Sequence, residues 1–332
     1  MGFKEWDKVF LSDIMDIIGG GTPKTTVEGY WNGHINWISV KDFNGGRKYI
    51  TNTEKTITEL GLNKSSTKLL QKKDIIISAR GTVGALGMIS KPMAFNQSCY
   101  GLRAKSHINS DFLFYLLKNS ILVLQNNTHG SVFNTITRTT FDTIEVKVPP
   151  LNEQKAIADI LSSLDDKIEL NNQMNETLEE MAQALFKRWF VDFEFPNEEG
   201  KPYKSSGGEM VESELGMIPK GWEISPVYDL GDYINGTSFK KNDYSEHGVP
   251  IIKIAELKQG ITSGTKYFKG NKDKKYYLEN GDILFSWSGN PDTSIDTFIW
   301  HRGDAILNQH IFKVVPNYKV NGSYIYSLLK YF

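Results

Sequence analysis

The sequence predicts an α+β fold in which two repeated, mixed α/β modules are separated by one long coiled-coil helix. Two observations predict it. The stretch from Pro149 to Phe190 contains no Gly, and no Pro after its opening pair, which is typical of one continuous helix. The segments on either side of it share short motifs in the same order, which indicates two copies of one module.

The repeat is visible in three pairs of motifs. "DIIIS" at 74–78 matches "DILFS" at 282–286, "AFNQSCYGL" at 94–102 matches "ILNQHIFKV" at 306–314, and "DFLFYLLK" at 111–118 matches "SYIYSLLK" at 323–330. The distance from Asn96 to Lys118 is 22 residues, and so is the distance from Asn308 to Lys330. In each copy a β-branched run ends in a Gly-rich loop, and a second strand and an amphipathic helix follow.

The long helix carries a heptad seam, because apolar or small residues recur in alternating steps of four and three. The predicted partner-binding seam consists of Ile157, Leu161, Leu164, Ile168, Asn171, Asn175, Leu178, Leu185 and Trp189. Its length is roughly 50 Å, which suits a spacer. Two Asn layers favour one particular partner and register. Asn152 is predicted to cap the helix, and Pro196 to close it. The alternative is a helix that lies on the surface of its own domain.

The predicted domains are residues 1–149, the helix over 150–195, a polar and Gly-rich linker over 196–216, and a second module over 217–332. The net charge of −1 is unevenly distributed. Residues 1–150 contain 18 Lys and Arg against 12 Asp and Glu, residues 151–214 contain 6 against 15, and the remainder contains 14 against 12. Two mildly basic modules flanking an acidic helix favour DNA against the modules and protein against the helix.

Composition indicates a folded protein of the cytoplasm. The chain has 332 residues, of which 39% are hydrophobic and 23% charged. A single cysteine, Cys99, excludes an internal disulfide and a thiolate metal site. The N-terminus has no signal-peptide core, and no apolar run reaches membrane-spanning length. We therefore expect no membrane association.

The sequence predicts a chain without catalytic residues, a bound metal or a cofactor, because its motifs that resemble catalytic ones lack the required context or spacing. "GTVGALG" at 81–87 lies between two strand-like runs and is better explained as a turn than as a dinucleotide loop. "GGGTPKTT" at 19–26 lacks the spacing of a phosphate loop. No two histidines are spaced as a helical metal site requires, and no Asp or Asn precedes the Pro-Pro-aromatic sequence that holds a flipped base in amino-methyltransferases.

Side chains suited to reading DNA cluster in loops. Arg80 can reach guanine or phosphate, and the amides of the repeated Asn-Gln pairs can pair with adenine edges. The full predicted DNA-binding set is Thr22, Lys24, Lys41, Arg80, Thr82, Asn96, Gln97, His129, Ser131, Asn134, Arg138, Lys240, Lys241, Ser288, Asn290, Arg302, Asn308 and Gln309. Two alternatives stay open: the Asn-Gln pairs satisfy buried backbone groups, and Arg80 is an ordinary surface charge.

Several of these stretches resemble the specificity subunits of Type I restriction-modification systems. The resemblance rests on "GGGTPKTTVEGYWNGHINWISVKDF", "DIIISARGTVG", "FNQSCYGL", "SELGMIPKGWE" and above all the central "PPLNEQKAIADILSSLDDKIELNNQMNETLEEMAQALFKRWFVDFEFP". It implies two target recognition domains, each reading half of a bipartite site in double-stranded DNA, and an antiparallel pair of long helices that fixes their separation. It also implies methyltransferase subunits that use S-adenosylmethionine, and restriction subunits that use ATP and Mg. This chain is then expected to be a non-catalytic recognition subunit.

The sequence departs from the family pattern at its end. The first copy continues through a closing segment into the long helix, whereas the second stops at Phe332, so the family's second conserved helix is expected to be missing. The seam then requires a partner, which is a second copy, a second specificity fragment or the methyltransferase subunits. Two other functions stay open: a stand-alone modification or cleavage enzyme, and a coiled-coil adaptor without a DNA role.

Overall fold

A computed structural model describes residues 6–43, 47–126 and 135–332, apart from the side chain of Asp292. The chain divides into two compact units, Met1–Gln173 and Met174–Phe332. The helix that links them belongs in part to each, and the two units are described separately below.

The first unit is built from short strands and few helices. Its strands are β1 (Asp7–Phe10), β2 (Met15–Gly19), β3 (Trp31–Ile38), β4 (Tyr49–Ile50), β5 (Lys55–Ile57), β6 (Leu69–Leu70), β7 (Ile75–Ser78), β8 (Leu86–Ile89), β9 (Met93–Phe95), β10 (Cys99–Ala104) and β11 (Glu145–Val148). Its helices are α1 (Leu11–Ile14), α2 (Glu59–Asn63), α3 (Ser110–Asn126), α4 (Arg138–Asp142) and the start of α5 (Leu151–Phe186), with 3₁₀ turns at Glu28–Tyr30 and Val40–Asp42.

These strands form three sheets. One has the order β2-β10-β7-β8-β4, a second has the order β5-β3-β9-β6, and β1 pairs with β11. β3 and β9 are parallel, as are β4 and β8. Side chains of β7 alternate between two cores: Ile75 and Ile77 face α3, and Ile76 joins Phe95 and Cys99 in the other core. The run "IIIS" is therefore buried on both faces.

The second unit repeats much of this arrangement. Its strands are β12 (Met210–Ser213), β13 (Gly216–Pro219), β14 (Gly231–Asn235), β15 (Tyr244–Ser245), β16 (Val249–Ile252), β17 (Tyr267–Phe268), β18 (Tyr277–Leu278), β19 (Ile283–Ser286), β20 (Asp296–Ile299), β21 (Ala305–Leu307) and β22 (Ile311–Pro316). Its helices are α6 (Ile254–Gln259), α7 (Pro291–Ser294) and α8 (Gly322–Tyr331), with 3₁₀ turns at Val227–Leu230, Lys241–Asp243 and Lys274–Tyr276.

Strand order and register confirm the predicted repeat. The sheet β14-β22-β19-β20 has the order of β2-β10-β7-β8, and β17-β16-β21-β18 has that of β5-β3-β9-β6. Cys99 pairs with Ser78 as Ile311 pairs with Ser286. Ile38 pairs with Phe95 in parallel, as Ile252 pairs with Leu307. The predicted fold class, two mixed α/β modules and a long central helix, is therefore confirmed.

The central helix α5 begins one residue after the Pro149-Pro150 pair. The amides of Glu153 and Gln154 both donate to the carbonyl of Pro150, at 2.9 and 3.0 Å. Asn152 lies inside the first turn, so the prediction that it caps the helix is wrong. The helix ends in a π-helical turn over Lys187–Val191, ahead of Pro196. The α-helix contains neither Gly nor Pro and runs without a break from Leu151 to Phe186, where this aromatic-rich turn follows.

The start of α5 lies against the first unit through the buried Ala158, which belongs to the hydrophobic core, and through several polar side chains. The buried side chain of Gln154 donates to the carbonyl of Pro149 at 2.9 Å and accepts from the amide of Asn109 at 2.9 Å. Tyr115 donates to Asp165 at 2.8 Å, and burial raises the pKa of this tyrosine to about 12. The helix thus does contact its own domain, and Ile157, the first residue of the predicted seam, takes part by packing against the core.

The predicted linker over 196–216 contains regular structure. β12 and β13 form an antiparallel hairpin in which Met210 pairs with Pro219. Before the hairpin, the ring of Phe195 stacks between Tyr203 and Trp222, with centroid distances of 4.6 and 5.4 Å. Aromatic packing of this kind holds a polar, Gly-rich segment in one conformation.

None of the helices in the described ranges combines the length and the apolar character that a membrane span requires.

Candidate nucleic-acid interface

Three loops of the first unit leave its main sheet at the same end. β2 ends at Gly19, opposite Tyr100, and β7 ends at Ser78, opposite Cys99. The segments 20–25, 79–85 and 96–98 therefore meet where β10 begins. Backbone bonds connect them, because the amides of Ala79 and Arg80 both donate to the carbonyl of Ser98, at 2.8 and 3.3 Å. We call the exposed surface of these loops the first loop face.

Glycines allow the first of these loops to pack against the third. A Cβ added to Gly20 would lie 2.1 Å from the carbonyl oxygen of Asn96. A Cβ on Gly236, at the equivalent place in the second unit, would lie 2.1 Å from the carbonyl oxygen of Asn308. No side chain fits at either position, which explains "GGGT" and "NGT" by close backbone approach rather than by phosphate binding.

A buried serine closes the second loop in each unit. The hydroxyl of Ser78 donates to the carbonyl of Thr82 and accepts from the amide of Ala85 at 2.8 Å. The hydroxyl of Ser286 donates to the carbonyl of Ser294 at 2.5 Å and accepts from the amide of Asp296 at 3.0 Å. The same side chain thus fixes loop 79–85 in one unit and loop 287–295 in the other.

Ser78→Ala is expected to loosen the loop 79–85 while the sheet stays folded. The substitution leaves a buried amide and carbonyl without their partner, which costs about 1–3 kcal/mol in local opening. Hydrogen exchange of the Ala85 amide should therefore accelerate by about five- to a hundredfold. The exposed Ser106→Ala serves as the control. Unchanged exchange at Ala85 in the Ser78 variant would show that the serine does not hold the loop.

The first loop face gathers most of the predicted DNA-binding residues of this unit. Arg80, Thr82, Gln97 and Lys24 are exposed on it, and Gln97 accepts a hydrogen bond from Thr22. The exposed Arg138 begins α4 and lies beside the end of β2, with its guanidinium 3.5 Å from where a Cβ on Gly19 would be. His129, Ser131 and Asn134 lie outside the described residues.

The predicted Asn-Gln pair divides into two different roles. Asn96 is half-buried, and its amide oxygen accepts from the backbone amide of Ser98 at 3.1 Å. This is the satisfaction of backbone groups that the alternative interpretation expects. Gln97 is exposed and available to a ligand. Lys41 lies in the turn after β3, where its ammonium is 3.5 Å from the carboxylate of Glu54.

The second unit presents different side chains on the same scaffold, which we call the second loop face. Trp287, which is 39% exposed, follows Ser286, and its ring lies 5.2 Å from that of the exposed His310. The indole N–H donates to Asn235 at 3.3 Å. His310 has φ +78°, a conformation rare outside glycine. Sequence reasoning missed both residues, although an aromatic residue in the loop "SWSGNPD" was a usable signal.

Most predicted residues of the second unit lie on or near this face. Gln309 is exposed, and its backbone amide donates to the carbonyl of Thr237 at 2.9 Å. Asn308 is half-buried. Ser288 and Asn290 belong to the loop after Trp287, and Lys240 and Lys241 are exposed at a 3₁₀ turn. Lys272, which was not predicted, donates to the carbonyl of Ser238 at 3.2 Å and lies over the ring of Phe239.

Arg302 is not brought to the second loop face, which corrects its grouping with the reading residues. β20 runs antiparallel to β19, so the residues after Ile299 lie at the opposite end of the sheet from Ser286. There the guanidinium donates to the carbonyls of Glu256 and Leu257 at 2.8 and 3.1 Å. Its charge satisfies the carboxyl end of α6.

Over the ranges that the structure describes, neither loop face groups its side chains in an arrangement typical of catalysis. Among the described residues, no group of three or more His, Cys, Asp or Glu side chains is placed to hold a metal ion. Cys99 is buried, and burial together with the charge of Asp42 raises its pKa to about 12. The thiol is therefore protonated at neutral pH and is a poor nucleophile. Both faces present exposed hydrogen-bond donors, acceptors and cations on loops at the end of a sheet.

Comparison with known proteins decides the family. The sequence model of the family described as "Type I restriction modification DNA specificity domain" matches residues 3–180 and 219–332. The specificity subunit of the Type I restriction enzyme MjaIX from Methanocaldococcus jannaschii is 33% identical over 297 residues. That alignment covers 86% of this chain and 67% of the relative. The chain belongs to the Type I restriction-modification specificity family. Its two modules are DNA-recognition domains of that family.

A second curated relative and one solved structure are also similar to this chain. The MjaVIII specificity subunit of the same organism is 28% identical over 291 residues, covering 85% of this chain and 64% of the relative. The solved HsdS subunit of Thermoanaerobacter tengcongensis is 14% identical, with a TM-score of 0.40 over 99% of this chain and 81% of that one. The present chain thus spans about two thirds of the length of these curated relatives. The family assignment rests on the sequence matches.

In this specificity-family member, most of the predicted seam of α5 is exposed. Leu161, Leu164, Ile168, Leu178 and Leu185 are all exposed, and so are Asn171 and Asn175. Ile157 and Trp189 are half-buried. Isolated exposed apolar residues are ordinary, but a stripe along one helix face indicates an interaction surface. Most of the seam is therefore open to a partner helix, although Ile157 packs against the core of the first unit and Leu178 lines a cavity of the second.

Proposed function

We propose that this chain is the sequence-reading subunit of a Type I restriction-modification complex and that each module reads one half of a bipartite DNA site. The observation that carries the proposal is the duplication of one loop face with different exposed side chains. Arg80 and Thr82 occupy the first face and Trp287 and Asn290 the second, while one side chain is common to both, Gln97 in the first and Gln309 in the second. One scaffold with two sets of side chains suits two half-sites of different sequence.

The chemistry of these side chains supports direct reading of base edges. Arg80 presents a fork of donors that matches the O6 and N7 acceptors of guanine, and the amides of Gln97 and Gln309 match the N6 and N7 atoms of adenine. Lys24, Lys240 and Lys241 are placed at loop margins, where a point charge suits phosphate. Residues 1–150, with 18 basic and 12 acidic side chains, add a favourable long-range field.

The exposed seam of α5 supports a second role in assembly. We infer that it pairs with a second long helix, from another copy or from a second specificity fragment, and that this region binds methyltransferase subunits. S-adenosylmethionine, ATP and Mg then belong to the methyltransferase and restriction subunits, and this chain supplies the address rather than the reaction.

The assignment is tested by measuring DNA binding and methylation with and without partners. The chain together with its methyltransferase subunits should bind duplex DNA with an affinity that falls steeply with salt, because Lys and Arg release counterions from phosphates. The chain alone should transfer no methyl group from S-adenosylmethionine. Methyl transfer by the isolated chain would favour a stand-alone enzyme, and salt-independent behaviour without DNA affinity would favour an adaptor.

Arg80→Ala is expected to relax base choice at one position of one half-site. If the guanidinium makes a bidentate contact with guanine, its loss costs about 1–3 kcal/mol of discrimination at that base pair. Binding of the assembled complex to a set of single-base variants measures the effect. Lys91→Ala, at an exposed position beyond the other end of β8, is the matched control. Equal preference in wild type and the Arg80 variant would make Arg80 a surface charge.

A further inference from the structure

The two modules differ at one edge of the main sheet. In the first unit the outer edge of β8 is covered by β4, which pairs with it in parallel, and the amide of Met88 donates to the carbonyl of Lys48 at 2.7 Å. In the second unit the equivalent strand, β20, is the last of its sheet, whose order is β14-β22-β19-β20. Over the part of the chain that the structure describes, no strand covers this edge.

The register identifies the residues of the open edge. The amide of Ile89 donates to the carbonyl of Asp74 at 2.8 Å, and the amide of Trp300 donates to the carbonyl of Asp282 at 2.8 Å, so Trp300 is the counterpart of Ile89. Ile299 is therefore the counterpart of Met88, whose amide bonds to β4. Its amide points outward from the sheet, and its carbonyl oxygen lies 3.0 Å from the ring of His301.

The connection that forms β4 in the first unit forms a helix in the second. After β3 the chain makes one 3₁₀ turn before it reaches β4, whereas after β16 it makes the longer helix α6, Ile254–Gln259. Arg302 binds the last carbonyls of α6 and holds it in place. The chain then turns at Gly260, at φ +81°, and returns as β17. Over the described residues this connection adds no strand to β20; its helix α6 instead places Leu257 beside Trp300 in the core and in the wall of the neighbouring cavity.

A cavity of about 590 Å³ lies beside the open edge, entirely within the second unit. Its walls come from β20 and the residues that follow it, from α8 and from the end of α5, and they include Thr297, Trp300, Tyr326, Leu178 and Glu179. This volume is within the range of sites that bind ligands. The walls combine apolar surface with a few polar groups, as binding sites do.

Two polar atoms of this cavity are shielded from solvent and have no partner among the residues that the structure describes. Thr297 is 1% exposed, and its hydroxyl makes no hydrogen bond. One carboxylate oxygen of Glu179 accepts from Tyr326 at 3.2 Å, but the other, Oε1, accepts nothing. An unpaired buried carboxylate oxygen is costly, so the site favours an occupant that brings a charged donor.

The first unit contains such a donor at the equivalent place. Lys48, immediately before β4, extends its ammonium to Asp111 at 2.8 Å and to Ser162 of α5 at 2.8 Å. In the second unit the nearby cations are already engaged: Lys330 pairs with Asp296 at 2.7 Å, and Arg302 donates to α6. Among the described residues neither of these two cations is bonded to Glu179, so the carboxylate stays available to an external cation.

We propose that the open edge of β20 and its cavity bind an extended basic peptide segment of another protein, which adds a parallel strand to the sheet and places a Lys or Arg side chain against Glu179. The segment resembles Lys48-Tyr49-Ile50 in chemistry, with a cation followed by two apolar residues. It displaces the ring of His301 from the carbonyl of Ile299. Strand addition of this kind takes affinity from main-chain bonds and specificity from the side-chain pocket.

A peptide with the sequence of residues 47–52, RKYITN, is the probe for this site. Titrated into the full chain, it should bind and slow hydrogen exchange of the Ile299 amide. Replacing its lysine by glutamate should weaken binding by about tenfold or more, because a charge-assisted hydrogen bond becomes a repulsion. Glu179→Gln in the chain should weaken the lysine peptide to a similar degree, and Glu180→Gln, an exposed neighbour, should not.

Three outcomes overturn the proposal. The first is no binding at millimolar peptide, and the second is binding without protection of the Ile299 amide. The third is equal affinity of both peptides for the wild-type chain. Thr297→Val tests folding independently, because removing an unpaired buried hydroxyl should leave the thermal midpoint unchanged or raise it.

Discussion

Asp111→Asn is expected to destabilise the first unit by about 3–5 kcal/mol, because it leaves the ammonium of Lys48 buried without its counter-charge. Only 2% of the Lys48 side chain is exposed, and its ammonium lies 2.8 Å from the Asp111 carboxylate. Lys73 contributes a second bond to Asp111 at 2.9 Å, from a more exposed position. Because Lys48 also reaches Ser162, the substitution loosens the attachment of α5 as well.

The pH dependence of this ion pair follows from the two pKa shifts. Burial alone would raise the pKa of Asp111, but hydrogen bonds from Lys48 and Lys73 outweigh it and lower the pKa below its usual 3.8. Burial would lower the pKa of Lys48, but Asp111 outweighs it and raises that pKa. A lowered carboxylate pKa stabilises the fold above the unfolded pKa, and this stabilisation is lost as pH falls through the folded value.

Denaturant unfolding between pH 3 and pH 7 measures the loss of stability in the Asp111 variant and its change in acid sensitivity. The wild type should lose stability below about pH 4, and Asp111→Asn should be less stable at pH 7 and less sensitive to acid. Asp166→Asn, on the exposed side of α5, is the control and should resemble the wild type. Equal stability of the Asp111 variant and the wild type at pH 7 would contradict the buried ion pair.

The double substitution Leu164→Asp and Leu178→Asp is expected to abolish pairing through α5. The two side chains are 57% and 58% exposed, and two helices that bury them would gain on the order of 1 kcal/mol from each. Four such side chains in a pair correspond to a loss of about a thousandfold in the association constant. Sedimentation of the chain, alone and with methyltransferase subunits, measures the assembly state.

A second double variant controls for the introduction of charge on the helix. Gln173 and Thr177 are exposed on the side of α5 that faces away from the seam. Gln173→Asp with Thr177→Asp should leave pairing intact. If both double variants assemble like the wild type, the seam is not an interface, and the role of α5 as a spacer between paired helices is wrong.

The repeat was predictable from sequence because motif order and spacing reflect strand order. The match of "DIIIS" with "DILFS" correctly predicted β7 and β19 as equivalent strands. The equal spacing from Asn96 and Asn308 to the following helices likewise predicted α3 and α8 as equivalent helices. Paired strands must keep their register to keep side chains on the core face, so both copies preserve these distances. Periodicity likewise predicted the long helix and its apolar seam.

The contacts of that helix were not predictable in the same way. Periodicity reveals where apolar residues lie on a helix but not which face touches its own domain, and α5 uses Gln154, Ser162 and Asp165 for that contact. Lys48 and Asp111 are 63 residues apart in sequence, and nothing local marks them as partners. Trp287 and His310 became neighbours only through the pairing of β19 with β22.

The loop faces were only partly predictable for a related reason. Sequence reasoning located Arg80, Gln97 and Gln309 in loops, and the structure brings each to the loop face of its unit. It could not separate Asn96 from Gln97, since the distinction depends on one backbone bond to Ser98. It also grouped Arg302 with the reading residues, because strand direction, which places Arg302 at the other end of β20, is invisible in composition.

Methylome sequencing of a host that carries this chain with its methyltransferase subunits tests the central claim most directly. We expect one bipartite methylated sequence, with Arg80→Ala relaxing bases in one half only and Trp287→Ala relaxing bases in the other half only. A single continuous target, or two variants that alter the same half, would contradict the assignment of one half-site to each module.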